Sequence, residues 1–540
     1  MICVPWLWPY SCTGYGETFS FPNKLAGEIP TAYRFQRRHE SMKEETTHSP
    51  DWPNIYARNP ISLIASRWLF FGLTIISVIP FWTVRYPVVT DYPNHLARWF
   101  VLFHATDPHY HFSGFYFPAW GPLPYITPDV LAMGLQYVLP IDIVGRCILS
   151  LCVILVALAT LFFVNKTCGE NAGLAMLGIL IALNPNFLMG SIGNQFSLAF
   201  CLLAAGLWVS YCSSPKVSTA MGILFLISLV YLSHLIGFVI VGMVMGVYTL
   251  FQADRWKKLG MLAALSLPAL AMFGLNQKRS GSPGVFVYSG LTAWEKLRNL
   301  VFPLRFSHSK SMDVLFIASL LVVIILLVRA QKRISIQPVW LAVCGVLLLT
   351  YFVAPGEYGI GGYVDVRVLP FLYIFLLAAF RFPRIPGYIT VCLALLVLIR
   401  VAGVEKMFLT HQGELKQLAL AFDSIPRDAR VLTLQSVDRK SSLVGRAEPH
   451  HLDYGTMERG FLVPTLFHLQ GVQPLRLTND VYCPNVFCFV TDPMDADWSK
   501  IAGSYDYLWV QNDPDAIPAA SRIGHIVFSN DSVTVLEIYH

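Results

Sequence analysis

Runs of about twenty apolar residues recur along most of the chain, near 62–83, 141–164, 171–188, 195–212, 217–233, 235–252, 258–275, 312–329, 337–354, 366–380 and 386–404. Twenty helical residues rise about 30 Å, the thickness of a bilayer's hydrocarbon core. The set therefore predicts an α-helical polytopic membrane protein with about eleven transmembrane helices. Only Ser233 and His234 separate the fifth run from the sixth, so that boundary decides the side on which every later loop falls. Beyond 404 the pattern changes. Residues 414–422 have helical periodicity, 430–435 and 507–510 alternate as strands, and 524–528 with 533–538 form a hairpin turning at Ser529-Asn530-Asp531. These elements predict a small α/β domain over 405–540, at roughly 130 residues long enough for its own core. Residues 1–60 are rich in Pro, Arg, Glu, Ser and Thr without sustained periodicity and predict a disordered arm, which leaves 61–404 as the transmembrane domain.

Composition supports the membrane assignment. Of 540 residues 55% are hydrophobic and 13% charged, and the mean hydropathy is +0.54; an average soluble domain is roughly 25% charged. The net charge of +6 is not a nucleic-acid footprint in such a chain, because the placement of Lys and Arg matters more than their sum. Putting the arm with Arg37, Arg38 and Arg58 in the cytoplasm also puts Lys166, Lys216, the 255–258 turn, the 329–333 cluster and the 381–384 turn there. The first outer loop is then 84–140, and 276–311, 355–365 and the whole tail are extracytoplasmic, as in a bacterial inner-membrane protein. Most cysteines, such as Cys147, Cys152, Cys201, Cys344 and Cys392, fall in apolar runs and act as small hydrophobes. Cys483 and Cys488 lie in the tail, where an oxidising compartment allows them to pair.

No Walker loop, dinucleotide fingerprint, HExxH or nucleophile elbow occurs, which removes cytosolic nucleotide chemistry from consideration. Candidate chemistry lies in the first outer loop, in Asp91-Tyr92-Pro93-Asn94-His95-Leu96-Ala97-Arg98. Pro93 suits the first turn of a helix. At 100° per residue Leu96, Trp99, Phe100 and Phe103 make an apolar stripe, with Asp91, Asn94 and Arg98 opposite and His95 at the edge. This predicts a helix lying on the membrane surface and presenting a carboxylate, an imidazole and a guanidinium. A carboxylate there can take a proton from an acceptor hydroxyl, and a cation can hold a leaving phosphate; Asp91 also suits a plain helix cap. Downstream, Asp107, His109 and His111 alternate as on a strand and offer three ligands to a divalent metal, although a hydrated interface fits the same cluster.

Several cations sit in outer loops against the charge rule: Lys278, Arg279, Lys296, Arg298, Arg305 and Lys310. They suit phosphate binding, or snorkelling from an interfacial helix over 294–306. Arg367 enters an apolar run and needs a partner, either a lipid phosphate or Asp365. The polar break 184–195 fits a cavity lining or a turn.

This arrangement resembles the GT-C superfamily of integral-membrane glycosyltransferases, among them protein O-mannosyltransferases and lipid A aminoarabinose transferases. The likeness in architecture spans roughly 60–540, and its motif is confined to 90–98. The resemblance implies that the loop acid serves as base or metal ligand, with the base's role falling on Asp91. Where many relatives carry adjacent acids this chain has Asp91-Tyr92, and His95 or Asp129 stands in for the second acid. It also implies a polyprenyl-phosphate sugar donor.

The expected function is therefore transfer of a sugar from a polyprenyl-phosphate donor to a lipid or glycan acceptor at the outer face of the cytoplasmic membrane. Asp91 is the expected general base and His95 orients it or the acceptor. Arg98, Arg367, Arg279 and Arg305 are the expected phosphate ligands, and Tyr92, Trp120 and Tyr125 stack on sugar. The competing classes are a transporter or flippase, whose essential residues would lie in mid-span, and a non-enzymatic envelope assembly protein, which would tolerate Asp91→Asn.

Overall fold

Each of the eleven apolar runs is helical in the computed structural model, which describes residues 60–540 apart from 170, 281–285, 307–308, 332–333, 359–361, 383–384, 436–449, 486–487, 491 and 495. The N-terminal arm lies outside the described residues. Six helices are long and apolar enough to cross a membrane: Ile64–Thr83, Ile141–Cys168, Ile192–Ser213, Arg255–Lys278, Lys310–Arg329 and Gly387–Ser424. Five shorter apolar helices, Ala172–Leu188, Val217–Ser233, Leu235–Leu250, Pro338–Val353 and Val366–Ala379, complete the bundle. Of the six long helices Ile141–Cys168 and Ile192–Ser213 are the most enclosed, packing on each other and on their neighbours, whereas Arg255–Lys278 and Lys310–Arg329 present most of their surface outward. Apolar side chains facing outward over that length need hydrocarbon around them. The protein is a multi-pass membrane protein.

The boundary between the fifth and sixth runs is a true break. His234 adopts an extended backbone (φ −167°, ψ 129°), and its Nδ1 accepts the Ile236 N–H, capping the Leu235–Leu250 helix. The expected domain boundary at 405 falls inside a single helix, Gly387–Leu420, which passes from apolar to polar sequence without interruption. No proline follows Pro386 until Pro426, so the backbone has no reason to stop where the solvent changes.

The C-terminal sheet has four strands. Val431–Gln435 runs parallel to Tyr507–Gln511, which pairs antiparallel with Val533–Ile538, and Gly524–Ser529 forms the other edge. Cys483 and Cys488 form a disulfide in this domain. The first outer loop is woven into the domain: Tyr116–Pro118 pairs antiparallel with Leu475–Leu477, and the Tyr116 hydroxyl both donates to the Val463 carbonyl and accepts its N–H, each at 2.7 Å.

The Tyr92–Phe103 helix departs from the expected surface helix. Every residue from Tyr92 to Leu102 is buried. Tyr92, Leu96 and Trp99 enter the core of the bundle, while Ala97, Phe100, Val101 and Leu102 enter the core of the C-terminal domain. The expected stripe is thus divided between two cores. The helix is a wedge between bundle and domain, so its polar side chains have no water to turn to.

One intramembrane cation is structural. Arg400, on Gly387–Leu420, is fully buried and donates to the carbonyls of Leu304 (2.8 Å), Leu183 (2.6 Å), Pro303 (3.2 Å) and Arg305 (3.1 Å), with its guanidinium over Phe306 and Phe316. It holds the 302–305 turn against the bundle. Removing it strands several buried carbonyls, each worth about 1–3 kcal/mol. Arg400→Met should therefore lower the unfolding midpoint of the detergent-solubilised protein by several degrees, and Arg329→Met, at an exposed position, should leave it unchanged; equal midpoints would contradict this role.

Candidate active site

Asp91 sits at the mouth of the Tyr92–Phe103 helix but does not cap it: its side chain makes no hydrogen bond to the helix N-terminus. Its backbone is instead stapled to the polar break after the 172–182 helix, with Thr90 N–H donating to Leu188 O (3.0 Å) and Asp91 N–H to Met189 O (3.2 Å). Gly190 completes this cradle. Its φ is +101°, and a Cβ there would lie 2.4 Å from the Asp91 Cβ, so only glycine allows both the turn and the approach. Asn186 joins the same cradle to the next element by donating to Val366 O at 3.1 Å. The polar break 184–195 therefore has a structural purpose, holding the carboxylate.

His95 shares the task. Its Nε2–H donates to Gly190 O (3.1 Å) and its Nδ1 accepts from the Arg98 guanidinium (3.1 Å). Burial, reinforced by Arg98, holds this imidazole well below its ordinary pKa, so it is neutral across the physiological range. With both nitrogens engaged, it orients the cradle around Asp91.

Arg98 is placed differently from the expected phosphate ligand. It is 1% exposed, and its Nε (3.0 Å) and one terminal nitrogen (2.6 Å) both donate to Asp129 Oδ1, which also accepts Trp99 Nε1–H at 2.8 Å. A buried guanidinium is driven to the nearest carboxylate, and Asp129 on the Ile126–Gln136 helix is that partner. Asp129 is spent in the same way and does not join Asp91 as a second acid. Tyr92 is also withdrawn from the expected sugar-stacking role: it is 1% exposed and packs so tightly on Gly145 that a Cβ there would meet its hydroxyl.

Arg367 fits a different environment. Asp365, the local partner considered for it, pairs with Lys296 at 3.3 Å, and the Lys296 ammonium also donates to the carbonyls of Tyr351, Phe352 and Ala354. Lys296 is thus a structural cation. Arg367 donates to the Tyr125 hydroxyl at 3.2 Å beside His234, and its Nε is buried without a hydrogen-bond partner among the described residues. It makes no ion pair with a carboxylate among them, yet its charge reaches Asp91. Tyr363, in the left-handed region at φ +60°, also lies within electrostatic reach of Asp91.

Asp91 is one-third exposed. Burial raises its carboxyl above the ordinary carboxylate value, and the cations that oppose this are His450 first, then Arg367 and Arg98. His450 comes from the C-terminal domain, with Nε2 3.7 Å from Asp91 Oδ1 and Nδ1 3.2 Å from Asp453 Oδ2. Sequence reasoning missed both residues. The signal available was Pro449-His450-His451-Leu452-Asp453, which sets a histidine and a carboxylate three apart at a helix start.

The remaining expected residues lie elsewhere. Trp120 is 43% exposed, and Arg305 is partly buried at the Arg400 junction. Arg279 closes its helix, with its side chain outside the described residues. Asp107, His109 and His111 do not form a strand or converge: Asp107 binds His104 and the His109 backbone, and His111 pairs with Asp428 at 3.1 Å. That geometry does not fit a shared metal ion. His468 Nε2 lies 3.9 Å from Cys488 Sγ, but the disulfide leaves no thiolate there for a metal.

The chain is similar to the crystal structure of ArnT from Cupriavidus metallidurans bound to undecaprenyl phosphate, with a TM-score of 0.50 and 12% sequence identity over 88% of this chain and 97% of that one. No protein-family model and no curated protein matches the sequence. At that identity the likeness establishes the fold alone, a helical membrane bundle with a small C-terminal sheet domain arranged as in ArnT.

The cradle generates a test. Gly190→Ala combines a left-handed strain of about 1–2 kcal/mol with displacement of the carboxylate. It should reduce any Asp91-dependent activity at least about tenfold while the protein still folds, whereas Gly134→Ala, with nothing within 4 Å, should be silent. Full activity in Gly190→Ala would show that Asp91 needs no such seat.

Proposed function

We propose that the protein is a membrane glycosyltransferase that moves a sugar from a polyprenyl-phosphate donor to the hydroxyl of a lipid or glycan acceptor. The observation that carries this reading is a partly exposed carboxylate of raised proton affinity, Asp91, within electrostatic reach of a guanidinium, Arg367, that has no carboxylate partner among the described residues. A carboxylate with raised proton affinity is a competent base, and a partly buried guanidinium lacking a counter-ion is suited to a phosphate. The GT-C-like architecture, seen with undecaprenyl phosphate in ArnT, supports a lipid-phosphate ligand for this bundle.

In this mechanism the acceptor oxygen attacks the anomeric carbon as Asp91 takes its proton. The bond from that carbon to the phosphate oxygen breaks, the electron pair leaves on the lipid phosphate, and Arg367 stabilises the growing negative charge. Tyr125 holds the Arg367 side chain, and His95 with Gly190 holds the base. Asp107, His109 and His111 have no part in it. The disulfide in the C-terminal domain supports an oxidising compartment, hence a site at the outer face of the cytoplasmic membrane with the N-terminus inside.

The test is mass spectrometry of lipids and surface glycans from cells making wild type, Asp91→Asn, Arg367→Ala or Arg367→Lys at matched protein level. Loss of a general base costs roughly 10²–10⁴ in rate, so Asp91→Asn should abolish one sugar-sized mass increment, with Arg367→Ala close behind and Arg367→Lys partly active. An unchanged profile in Asp91→Asn would remove the transferase reading in favour of transport or assembly.

A further inference from the structure

We infer that the C-terminal domain completes the active site through a charge clamp, in which Asp453 holds His450 as the cation that keeps Asp91 ionised. His450 is a positioning residue on this account, acting on the reaction through Asp91. The inference rests on the transferase reading for its activity readout and on geometry for the rest.

The hydrogen-bond count fixes the imidazole. Asn94, fully buried on the wedge helix, spends both amide hydrogens on Asp453 Oδ2 (2.9 Å) and Thr465 O (2.8 Å), while its Oδ1 accepts the Phe467 N–H (2.8 Å). Its amide nitrogen is also 3.2 Å from His450 Nδ1 but has no hydrogen left for it. Thr465 Oγ1 donates to the other Asp453 oxygen at 3.1 Å. Asp453 is therefore an anion seated in donors, and His450 Nδ1 must carry the proton that meets it at 3.2 Å. That leaves Nε2 as the atom facing Asp91 Oδ1 at 3.7 Å, an ion-pair spacing that a small rotation of the carboxylate converts to a hydrogen bond.

The imidazole lies between two carboxylates with few competitors. Facing it are Asp91 from the segment before the wedge helix, Asp453 from the Asp453–Arg459 helix, neutral His95 from the wedge helix, and the uncharged rings of Phe467 and Phe489. Burial works against charge on His450, but the hydrogen bond and charge of Asp453 together with the charge of Asp91 outweigh it and raise the imidazole above its ordinary pKa, favouring the imidazolium. In return His450 is the strongest of the charges that hold the Asp91 proton affinity down. Burial works against the ionised form of Asp91, and a counter-charge beside it widens the pH range over which it can accept a proton.

The sign follows directly. Only the ionised form of Asp91 accepts a proton, so removing the imidazolium raises the Asp91 pKa and moves the acid limb of activity to higher pH. The experiment is an infrared difference titration of the full-length protein in lipid nanodiscs, with the Asp91 carboxyl band assigned by subtraction of Asp91→Asn. His450→Gln should move the protonation midpoint of Asp91 up by about one pH unit or more, a tenfold gain in proton affinity. Asp453→Asn should do the same more weakly, and His525→Gln, at an exposed site paired with Glu537, should not. Transfer activity in His450→Gln should fall at acidic pH and recover towards alkaline pH, whereas a merely structural loss would be the same at every pH. An unmoved midpoint in folded His450→Gln overturns the clamp; should that variant not accumulate, the same result in Asp453→Asn does so. A moved midpoint with product still made by Asp91→Asn keeps the clamp and removes the transferase reading. An unmoved midpoint with product lost in Asp91→Asn does the reverse.

Discussion

Burying a helix on every side obliges each of its polar side chains to find a partner, and that constraint on Tyr92–Phe103 organises the site. Asn94, His95 and Arg98 cannot reach water, so each is bonded to a different element: Asn94 to the C-terminal domain, His95 to the Gly190 turn, Arg98 to the Ile126–Gln136 helix. Leaving any of these groups unpaired would cost on the order of 1–3 kcal/mol, more for the guanidinium. The pairs thus fix the wedge in one position and one rotation. Asp91, immediately before the wedge and stapled to 188–190, has its location set by the same bonds.

The consequence is a site assembled from parts far apart in sequence. The carboxylate of Asp91 comes from the first loop, its seat from the 184–190 break, a cation whose charge reaches it from the start of the Val366–Ala379 helix, and the imidazole facing it from the C-terminal domain. Each is held by atoms that take no part in the proposed chemistry. Pre-positioning of this kind is how a protein lowers the cost of ordering reacting groups. It also explains the sorting of the cations: Arg98, Lys296 and Arg400 are consumed by carboxylates or carbonyls, and Arg367 is left with a hydroxyl.

What the amino-acid sequence reveals is mostly what is periodic. The helices of the bundle follow from apolar run length, and the C-terminal strands from alternation and turn residues, because both patterns reflect local geometry. The continuation of the last long helix to Leu420 does not, since a switch from apolar to polar residues marks where lipid ends and not where the backbone stops. The helical wheel of 91–103 separates polar from apolar residues correctly but cannot tell a polar face in water from one buried against another domain. The wheel therefore makes Arg98 look like a free ligand, whereas its partner, Asp129, lies thirty-one residues on. Asn94 and His450 meet across 356 residues, a contact set by docking of the C-terminal domain, for which no local pattern exists.

The most direct test of the account is to see where a lipid phosphate binds. A cryo-electron-microscopy structure of the protein in nanodiscs with added undecaprenyl phosphate should place the phosphate on the Arg367 guanidinium, with its open side towards Asp91. Phosphate density away from Arg367, with that side chain still resting on Tyr125, would contradict the claim that Asp91 and Arg367 form one site.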